Sequence, residues 1–435
     1  MSPAYRIAKT RRWAAKDARV LGADGETDAQ GFARADILVD DGRIAAVAPA
    51  NTLDFGETPS LPLAGRIVLP AFVDAHTHLD KGHIWRRAPN PSGDFSGALA
   101  TVAADRGANW SAEDVAARME FALQCAYARG TRAIRTHIDS VGPQARISFP
   151  VFAAARERWK GRIELQASPL FGVDIMFEPG HMETIEAMVA AHGSNVLGAV
   201  TYMIPRLQEA LDALFALAER GGWDLDFHVD ESADPSARTL GAIADTALRR
   251  KFAGKILAGH CCSLARQDDE ARAQVIDKVA RAGISVVSLP MCNLFLQDRF
   301  AARTPRWRGV TALHELKAAG VETMIASDNT RDPFFAYGDL DMLEVWREGV
   351  RILHLDYPFA DWADAVAAAP ARAMGIRPPR LAVGEPADMI LTQARDFTEL
   401  FCRPQSDRVV VRDGVALDAT APHHGALDDL EGLAP

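Results

Sequence analysis

The sequence has no long apolar segment, and its cysteines show no pairing pattern. No run of about 18 apolar residues occurs, so a membrane span is not expected. The N-terminal MSPAYRIAKTRRW lacks the apolar stretch of a secretory signal. The five cysteines are odd in number and form no C-x-x-C pair, which argues against a disulfide framework and against a thiolate zinc site. We therefore expect a cytoplasmic protein with reduced thiols.

Basic residues are also in deficit. The chain has 48 lysines and arginines against 58 acidic residues, a formal net charge of −10, so its average field repels phosphate backbones and anionic lipid. We expect neither nucleic acid nor a membrane as a partner. With 435 residues, 48% of them hydrophobic and 24% charged, the chain has an ordinary globular composition, which excludes a disordered, collagenous or coiled-coil protein.

Eight strand-like segments alternate with helical patterns along the middle of the chain. Such alternation is typical of a parallel sheet with crossover helices, and eight strands are the number that closes a (β/α)8 barrel. The predicted strands are Arg66–Val73, Thr131–Asp139, Arg162–Ser168, Asn195–Met203, Trp223–Asp230, Lys255–His260, Ile284–Leu289 and Glu322–Asp328.

Two hairpin signals lie outside the predicted barrel. Asp41-Gly42 and Asp413-Gly414 each separate two short strand-like runs, and Asp-Gly is a strong signal for a two-residue hairpin turn. Because an isolated hairpin is marginally stable, we expect both to share one small β domain. The fold class is therefore α/β, with residues 1–65 and 381–435 forming the small domain and residues 66–380 a metal-dependent barrel.

Ionisable residues are concentrated at the ends of the predicted strands, where active sites of such barrels form. The candidates are His76 and His78 after strand one, His137 and Asp139 in strand two, His228 and Glu231 after strand five, His260 after strand six, and Asp328 after strand eight.

His76 and His78 project to the same face of an extended segment, because side chains alternate with a period of two. Two adjacent imidazoles make half of a site for a divalent metal such as Zn²⁺ or Fe²⁺. His228 and Asp328 would complete a site for one ion and leave a position open for water. His137 remains open between a core histidine and a substrate contact.

These segments resemble the amidohydrolase superfamily, in the branch that holds cytosine deaminase and N-isopropylammelide isopropylaminohydrolase. The segments VLPAFVDAHTHLDKG, RTHIDS, DFHVDES, GHCCSLA and SDNTRDPFFAYGDLDML occur in the family's order and spacing. The resemblance implies one metal held by His76, His78, His228 and Asp328, with Glu231 and His260 handling protons and developing charge.

The fourth predicted strand contains no lysine. Relatives with two metals bridge them through a carboxylated lysine at that position, and NVLGAVTYMIP offers no residue for it. The resemblance then implies a mononuclear hydrolase in which metal-activated hydroxide attacks the amine-bearing carbon of a small nitrogen heterocycle. In that scheme Asp328 relays the proton of water, Glu231 protonates the ring nitrogen, and His260 steadies the new oxygen.

Substrate contacts depart from the cytosine deaminase pattern. Leu170 stands where that enzyme has a ring-reading glutamine, Asn329 where it has a carboxylate, and Phe334 where it has a tryptophan. An apolar residue cannot discriminate a polar ring edge as a hydrogen-bonding one does, so cytosine is disfavoured.

Two further residues belong to the long segment after strand one. Lys81 resembles a substrate-contacting lysine of the isopropylammelide enzyme and would otherwise be a solvated lysine. Trp85 would cover the ring or pack on the rim, and Phe334 would stack on the ring or fill the core.

Two alternatives to a deaminase are a cyclic amidase of the hydantoinase or dihydroorotase type, against which the missing lysine argues, and a non-catalytic barrel scaffold. The resemblance also allows a homo-oligomer, since superfamily relatives assemble.

Overall fold

The chain builds two kinds of sheet, one small and largely antiparallel, the other parallel and closed on itself. The computed structural model describes residues 9–22 and 26–430. Its strands are β1 Arg12–Leu21, β2 Phe32–Asp40, β3 Arg43–Pro49, β4 Ser60–Pro62, β5 Ile67–Pro70, β6 Phe72–Thr77, β7 Thr131–Asp139, β8 Glu164–Leu170, β9 Val196–Thr201, β10 Asp224–Val229, β11 Ile256–His260, β12 Ile284–Ser288, β13 Thr323–Ile325, β14 Met389–Leu391, β15 Val409–Arg412 and β16 Val415–Ala416.

The α-helices cover the outside of the parallel strands. They are α1 Phe95–Asn109, α2 Ala112–Ala128, α3 Ala145–Trp159, α4 His181–His192, α5 Leu207–Gly221, α6 Thr239–Arg250, α7 Asp269–Arg281, α8 Pro290–Leu296, α9 Leu313–Ala318, α10 Met342–Leu353, α11 Ala368–Ala373 and α12 Phe397–Cys402. Their apolar faces and the strands bury one large core. None of the helices within the described residues is long and apolar enough to cross a lipid bilayer.

The parallel strands close into the eight-stranded barrel predicted from the sequence. Strands β6, β7 and β8 form one ladder, and β9 to β13 form a second. Two parallel bridges join the ladders, Gly172 with Val200 and Thr77 with Asp328. In the second bridge the Asp328 amide donates to the His76 carbonyl at 2.8 Å. The closure of the barrel therefore brings two predicted metal ligands side by side.

Both ends of the chain contribute to the small sheet, as the two hairpin signals predict. Its strand order is β16-β15-β14-β5-β1-β2-β3, with β4 paired to β1. Trp13 in β1 donates its indole N–H to the Gly414 carbonyl at 2.8 Å. The apolar residues of β1, β2, β14 and β15 also share one buried cluster. Burial and hydrogen bonding thus join segments about 400 residues apart.

The first predicted barrel strand, Arg66–Val73, is divided in the structure. Ile67–Pro70 pairs with β1 and β14 in the small sheet, whereas Phe72 begins the barrel strand β6. Proline has no amide hydrogen to donate to a ladder. The chain therefore passes from one sheet to the other at Pro70. The sequence did not reveal this break because the segments on both sides of it are apolar.

We predict that Trp13→Phe weakens the small sheet. The substitution keeps an aromatic ring in the buried cluster but removes the indole N–H from the Gly414 carbonyl, at a cost of about 1–3 kcal/mol. Urea unfolding followed by circular dichroism measures the change. Trp307→Phe, at a half-buried position outside the sheet, is the control and should leave the midpoint in place. An unchanged midpoint for Trp13→Phe would contradict the proposed link.

Candidate active site

The ionisable residues singled out at the strand ends converge at one end of the barrel. His76 lies in β6 with His78 just beyond it, His228 lies in β10, His260 ends β11, and Asp328 follows β13. Because parallel strands share one direction, their carboxyl ends meet at the same rim. All five side chains are buried, so the rim holds a polar cluster shielded from bulk water.

Four of these side chains face one another closely enough to hold a single ion. An Asp328 carboxylate oxygen, Oδ1, lies 3.2 Å from His78 Nε2 and 3.6 Å from His76 Nε2. His228 Nε2 lies 3.5 Å from His78 Nε2. Ligand atoms of His76, His78 and His228 all lie within 4.8 Å of one another. Three imidazoles and a carboxylate match the donor set that Zn²⁺ and Fe²⁺ accept.

Several buried polar atoms of this cluster lack hydrogen-bond partners, as expected for atoms that bind a cation. Within the described chain, neither oxygen of Asp328 has a hydrogen-bond partner, and His76 Nε2 has none either. Buried polar atoms are normally paired, because an unpaired one forfeits its hydration. A divalent ion would satisfy these atoms together. The residues present therefore fit the metal that the sequence predicted.

Burial also sets the protonation that metal binding requires. Burial lowers the pKa values of His76, His78 and His228 well below the ordinary histidine value. The rings are thus neutral, which is the form that binds a metal. Burial raises the pKa of Asp328 to about 7, so this carboxyl group, unlike the imidazoles, must give up a proton to bind an ion.

Two residues of the rim adopt a left-handed backbone conformation. His260 and Asp328 have positive φ angles of 69° and 64°, a region that non-glycine residues rarely occupy. Such strain is concentrated at functional sites. At Gly259 a Cβ atom would lie 2.8 Å from His76 Cε1, so only glycine leaves room for the ring of His76 there.

Glu231 and His260 are linked through a third side chain, Asn293 in α8. The Asn293 amide donates to Glu231 Oε1 at 2.9 Å and lies 3.0 Å from His260 Nδ1. The Nδ1 atom then accepts, which places the ring proton on His260 Nε2. That nitrogen has no other partner among the described residues. Burial lowers the pKa of His260 to about 3, so the ring is a neutral donor.

The environment of Glu231 favours its protonated form. Burial, followed by the nearby charge of Asp328, raises the pKa of Glu231 well above the ordinary carboxyl value. The side chain also borders a cavity of about 280 Å³ lined by His228, Tyr202, Met203 and Phe95 among others. A protonated acid thus faces a pocket large enough for a small ring system.

Lys81 is buried in the structure and not solvated. Its Nζ lies 3.1 Å from Asp139 Oδ1 and 5.0 Å from the centre of the Phe334 ring. Arg106 holds the other oxygen of Asp139 at 2.9 Å. Burial alone would lower the pKa of Lys81, but the Asp139 charge and those of Asp332 and Asp80 raise it overall. Lys81 therefore stays cationic beside an aromatic ring.

The other predicted substrate contacts lie at different depths. Asn329 donates to Asp332 Oδ2 at 2.6 Å, and Leu170 ends β8 opposite Asp139. Trp85 is half-buried against Phe295, with ring centres 6.5 Å apart.

His137 lies inside the barrel next to the predicted metal ligands. Its ring centre is 4.0 Å from that of His76 and 4.5 Å from that of His228. Its Nε2 lies 3.7 Å from Asp226 Oδ1. His137 therefore packs against the histidine cluster. A substrate contact for His137 stays a prediction.

Sequence reasoning placed Asp139 at a strand end without giving it a role, and it missed Asn293 and Cys292. Both missed residues follow β12, so they occupy the same kind of strand-end position that identified the histidines. A histidine at a strand end suggests a metal ligand by its residue type alone. An amide or a thiol indicates a function only when its neighbours in the structure are known. Applying the position rule to every polar residue would have found them.

Comparison with known proteins agrees with this geometry. A pterin deaminase of Rhizobium rhizogenes (strain K84) is 53% identical over 415 residues, which span 95% of this chain and 94% of that protein. The structure of N-isopropylammelide isopropylaminohydrolase from Burkholderia multivorans has 27% identity and a TM-score of 0.74, and the match covers 94% of this chain and 98% of that one.

The fold is shared more widely still. The structure of 5-methylcytosine deaminase from Klebsiella pneumoniae, liganded with phosphonocytosine, superposes with a TM-score of 0.81 at 24% identity, covering 94% of this chain and 99% of that one. The model of the amidohydrolase family matches residues 162–417, more than half of the sequence. With the strand-end histidines and these matches together, the chain belongs to the amidohydrolase family.

Proposed function

We propose that the protein is a mononuclear, metal-dependent deaminase that hydrolytically removes the exocyclic amine from a pterin-type ring. The observation that carries this proposal is the buried cluster of His76, His78, His228 and Asp328, in which both oxygens of Asp328 and both nitrogens of His76 have no hydrogen-bond partner among the described residues. Glu231 and His260 stand beside that cluster as proton donor and hydrogen-bond donor. The pterin deaminase relative at 53% identity directs the choice of ring.

The metal site would hold one divalent ion, and both Zn²⁺ and Fe²⁺ suit its nitrogen and oxygen donors. Such an ion supplies Lewis acidity that makes water a nucleophile at neutral pH. The β9 strand, Val196–Thr201, contains no lysine, so no carboxylated lysine is available to bridge a second ion. This composition disfavours the cyclic amidase alternative.

Proton transfer falls to the two carboxyl groups. Asp328, with two oxygens free of hydrogen bonds, accepts the proton of the attacking water. Glu231 begins protonated and donates to the ring nitrogen next to the attacked carbon, where negative charge develops. His260 donates from Nε2 to the new oxygen, which is stabilised as charge builds. Asp328 then delivers its proton to the amine, which leaves as ammonia, and the new hydroxyl group returns a proton to Glu231 as the ring carbon forms a carbonyl group.

The electrostatics around Lys81 suggest how the ring is oriented. A buried cation beside the Phe334 ring would pair with a carbonyl oxygen or an electron-rich ring nitrogen of a flat heterocycle. The apolar Leu170 provides no polar contact for the ring edge that cytosine would present. The position of Lys81 thus favours a heterocycle that carries a carbonyl oxygen, as pterin does, and Leu170 departs from the ring-reading contact of cytosine deaminase.

The direct test is an ammonia-release assay on protein loaded with Zn²⁺ or Fe²⁺. Pterin should release one ammonia per ring, and water labelled with heavy oxygen should place its label in the product carbonyl. Cytosine, amino-triazines, guanine and hydantoin are the comparison substrates. Ring opening of hydantoin, or no turnover of any amino-heterocycle, would contradict the proposal.

We predict that mutations can distinguish the residues that bind the metal from the residue that donates the proton. His76→Ala and Asp328→Ala should lower metal content and activity together, because each removes a ligand. Glu231→Gln should keep the metal and lower kcat by about 10²- to 10⁴-fold, the usual contribution of a general acid. Metal analysis and steady-state kinetics on pterin measure both. Full activity of Glu231→Gln would remove its assigned role.

Lys81→Ala should reduce kcat/KM for pterin by about 10- to 100-fold, as expected for loss of a hydrogen bond from a charged donor. Lys160→Ala, at an exposed position on the opposite side of the barrel, is the matched control. Metal content and circular dichroism should match the wild type in both variants. An unchanged kcat/KM in folded Lys81→Ala would exclude the predicted substrate contact.

A further inference from the structure

A thiol lies beside the two reactive carboxyl groups and has no part in the proposed reaction. Cys292 is buried in the first turn of α8. Its Sγ and the nearest carboxylate oxygens of Glu231 and Asp328 all lie within 4.8 Å of one another. This spacing is short enough for one ion to contact three donors that come from different strand ends.

Hydrogen bonding leaves these donors available. Cys292 Sγ makes two long contacts of 3.8 Å, to Asn329 Oδ1 and to the Phe334 carbonyl, and it also faces the Asp328 carboxylate. Asp328 is 1% exposed and has no hydrogen-bond partner on either oxygen within the described residues. Its Oδ1 faces the histidines. The carboxylate can therefore bridge the histidine site on one side and the thiol on the other.

We propose that Glu231, Cys292 and Asp328 form a second metal site that is inhibitory and selects thiophilic divalent ions such as Zn²⁺ and Cd²⁺. Thiolate favours soft and borderline ions, whereas Mg²⁺ prefers oxygen ligands alone. The inference rests on the proposed function in one respect, because Asp328 is shared with the first ion. Of the three donors, Glu231 borders the cavity described above.

Ion binding at this site is a ligand exchange without a redox step. The Cys292 thiol loses its proton to solvent, and a sulfur–metal bond replaces the S–H bond. Glu231 binds as its carboxylate and likewise releases its proton. An ion held there removes the proton donor of the deamination reaction. Zinc would thus activate the enzyme at one equivalent and inhibit it in excess.

Cobalt titration tests the site without relying on turnover. The first equivalent of CoCl2 should give only the visible bands of a nitrogen and oxygen site. The second should add a near-ultraviolet thiolate-to-cobalt charge-transfer band. Cys292→Ser should lose that band and weaken the second equivalent by about tenfold or more. Cys402→Ser, which removes the exposed thiol, should keep both.

Inhibition provides the second measurement. Excess ZnCl2 should inhibit wild type and Cys402→Ser, while Cys292→Ser, normalised to its own activity at one equivalent, should resist it. MgCl2 should not inhibit. A single bound equivalent without a thiolate band in Cys402→Ser would overturn the proposal even if Cys292→Ser failed to fold. Because the cobalt spectrum needs no substrate, a failed deaminase assay leaves this test intact.

Discussion

Burying the polar cluster at the carboxyl ends of the strands costs free energy when no cation is bound. The rest of the site depends on this constraint. Asp328 and three imidazoles are removed from water, and neither the two oxygens of Asp328 nor the two nitrogens of His76 have a hydrogen-bond partner among the described residues. Burying polar atoms without partners forfeits several kcal/mol of hydration. A divalent ion offsets that loss. The arrangement thus couples metal affinity to the integrity of the barrel rim.

The architecture explains how such a cluster is kept in place. The bridge between Thr77 and Asp328 closes the barrel where the ligands stand, and buried Asp74 accepts hydrogen bonds from the Ser327 amide and hydroxyl just before Asp328. Side chains on closed strands are held more rigidly than those on loops. Asn293 then orients both proton-handling groups from a neighbouring helix. Preorganisation here is a property of strand ends joined by buried polar contacts.

Much of this could be predicted from the sequence because the relevant signals are periodic or local. The H-x-H spacing, the strand-end positions of His228 and His260, and the Asp-Gly turns depend only on neighbouring residues. The passage of the chain from one sheet to another at Pro70 does not, since both segments are equally apolar. The burial of Lys81 among carboxylates could not be predicted from the sequence either. It depends on Asp139 and Asp332, which only the closed barrel brings near.

We expect one ion to be held by His76, His78, His228 and Asp328. Anomalous diffraction at the zinc absorption edge, from crystals of protein loaded with one equivalent of Zn²⁺, tests it most directly. One strong peak is expected, bounded by those three imidazoles and that carboxylate. A peak elsewhere in the molecule, or none at this rim, would contradict it.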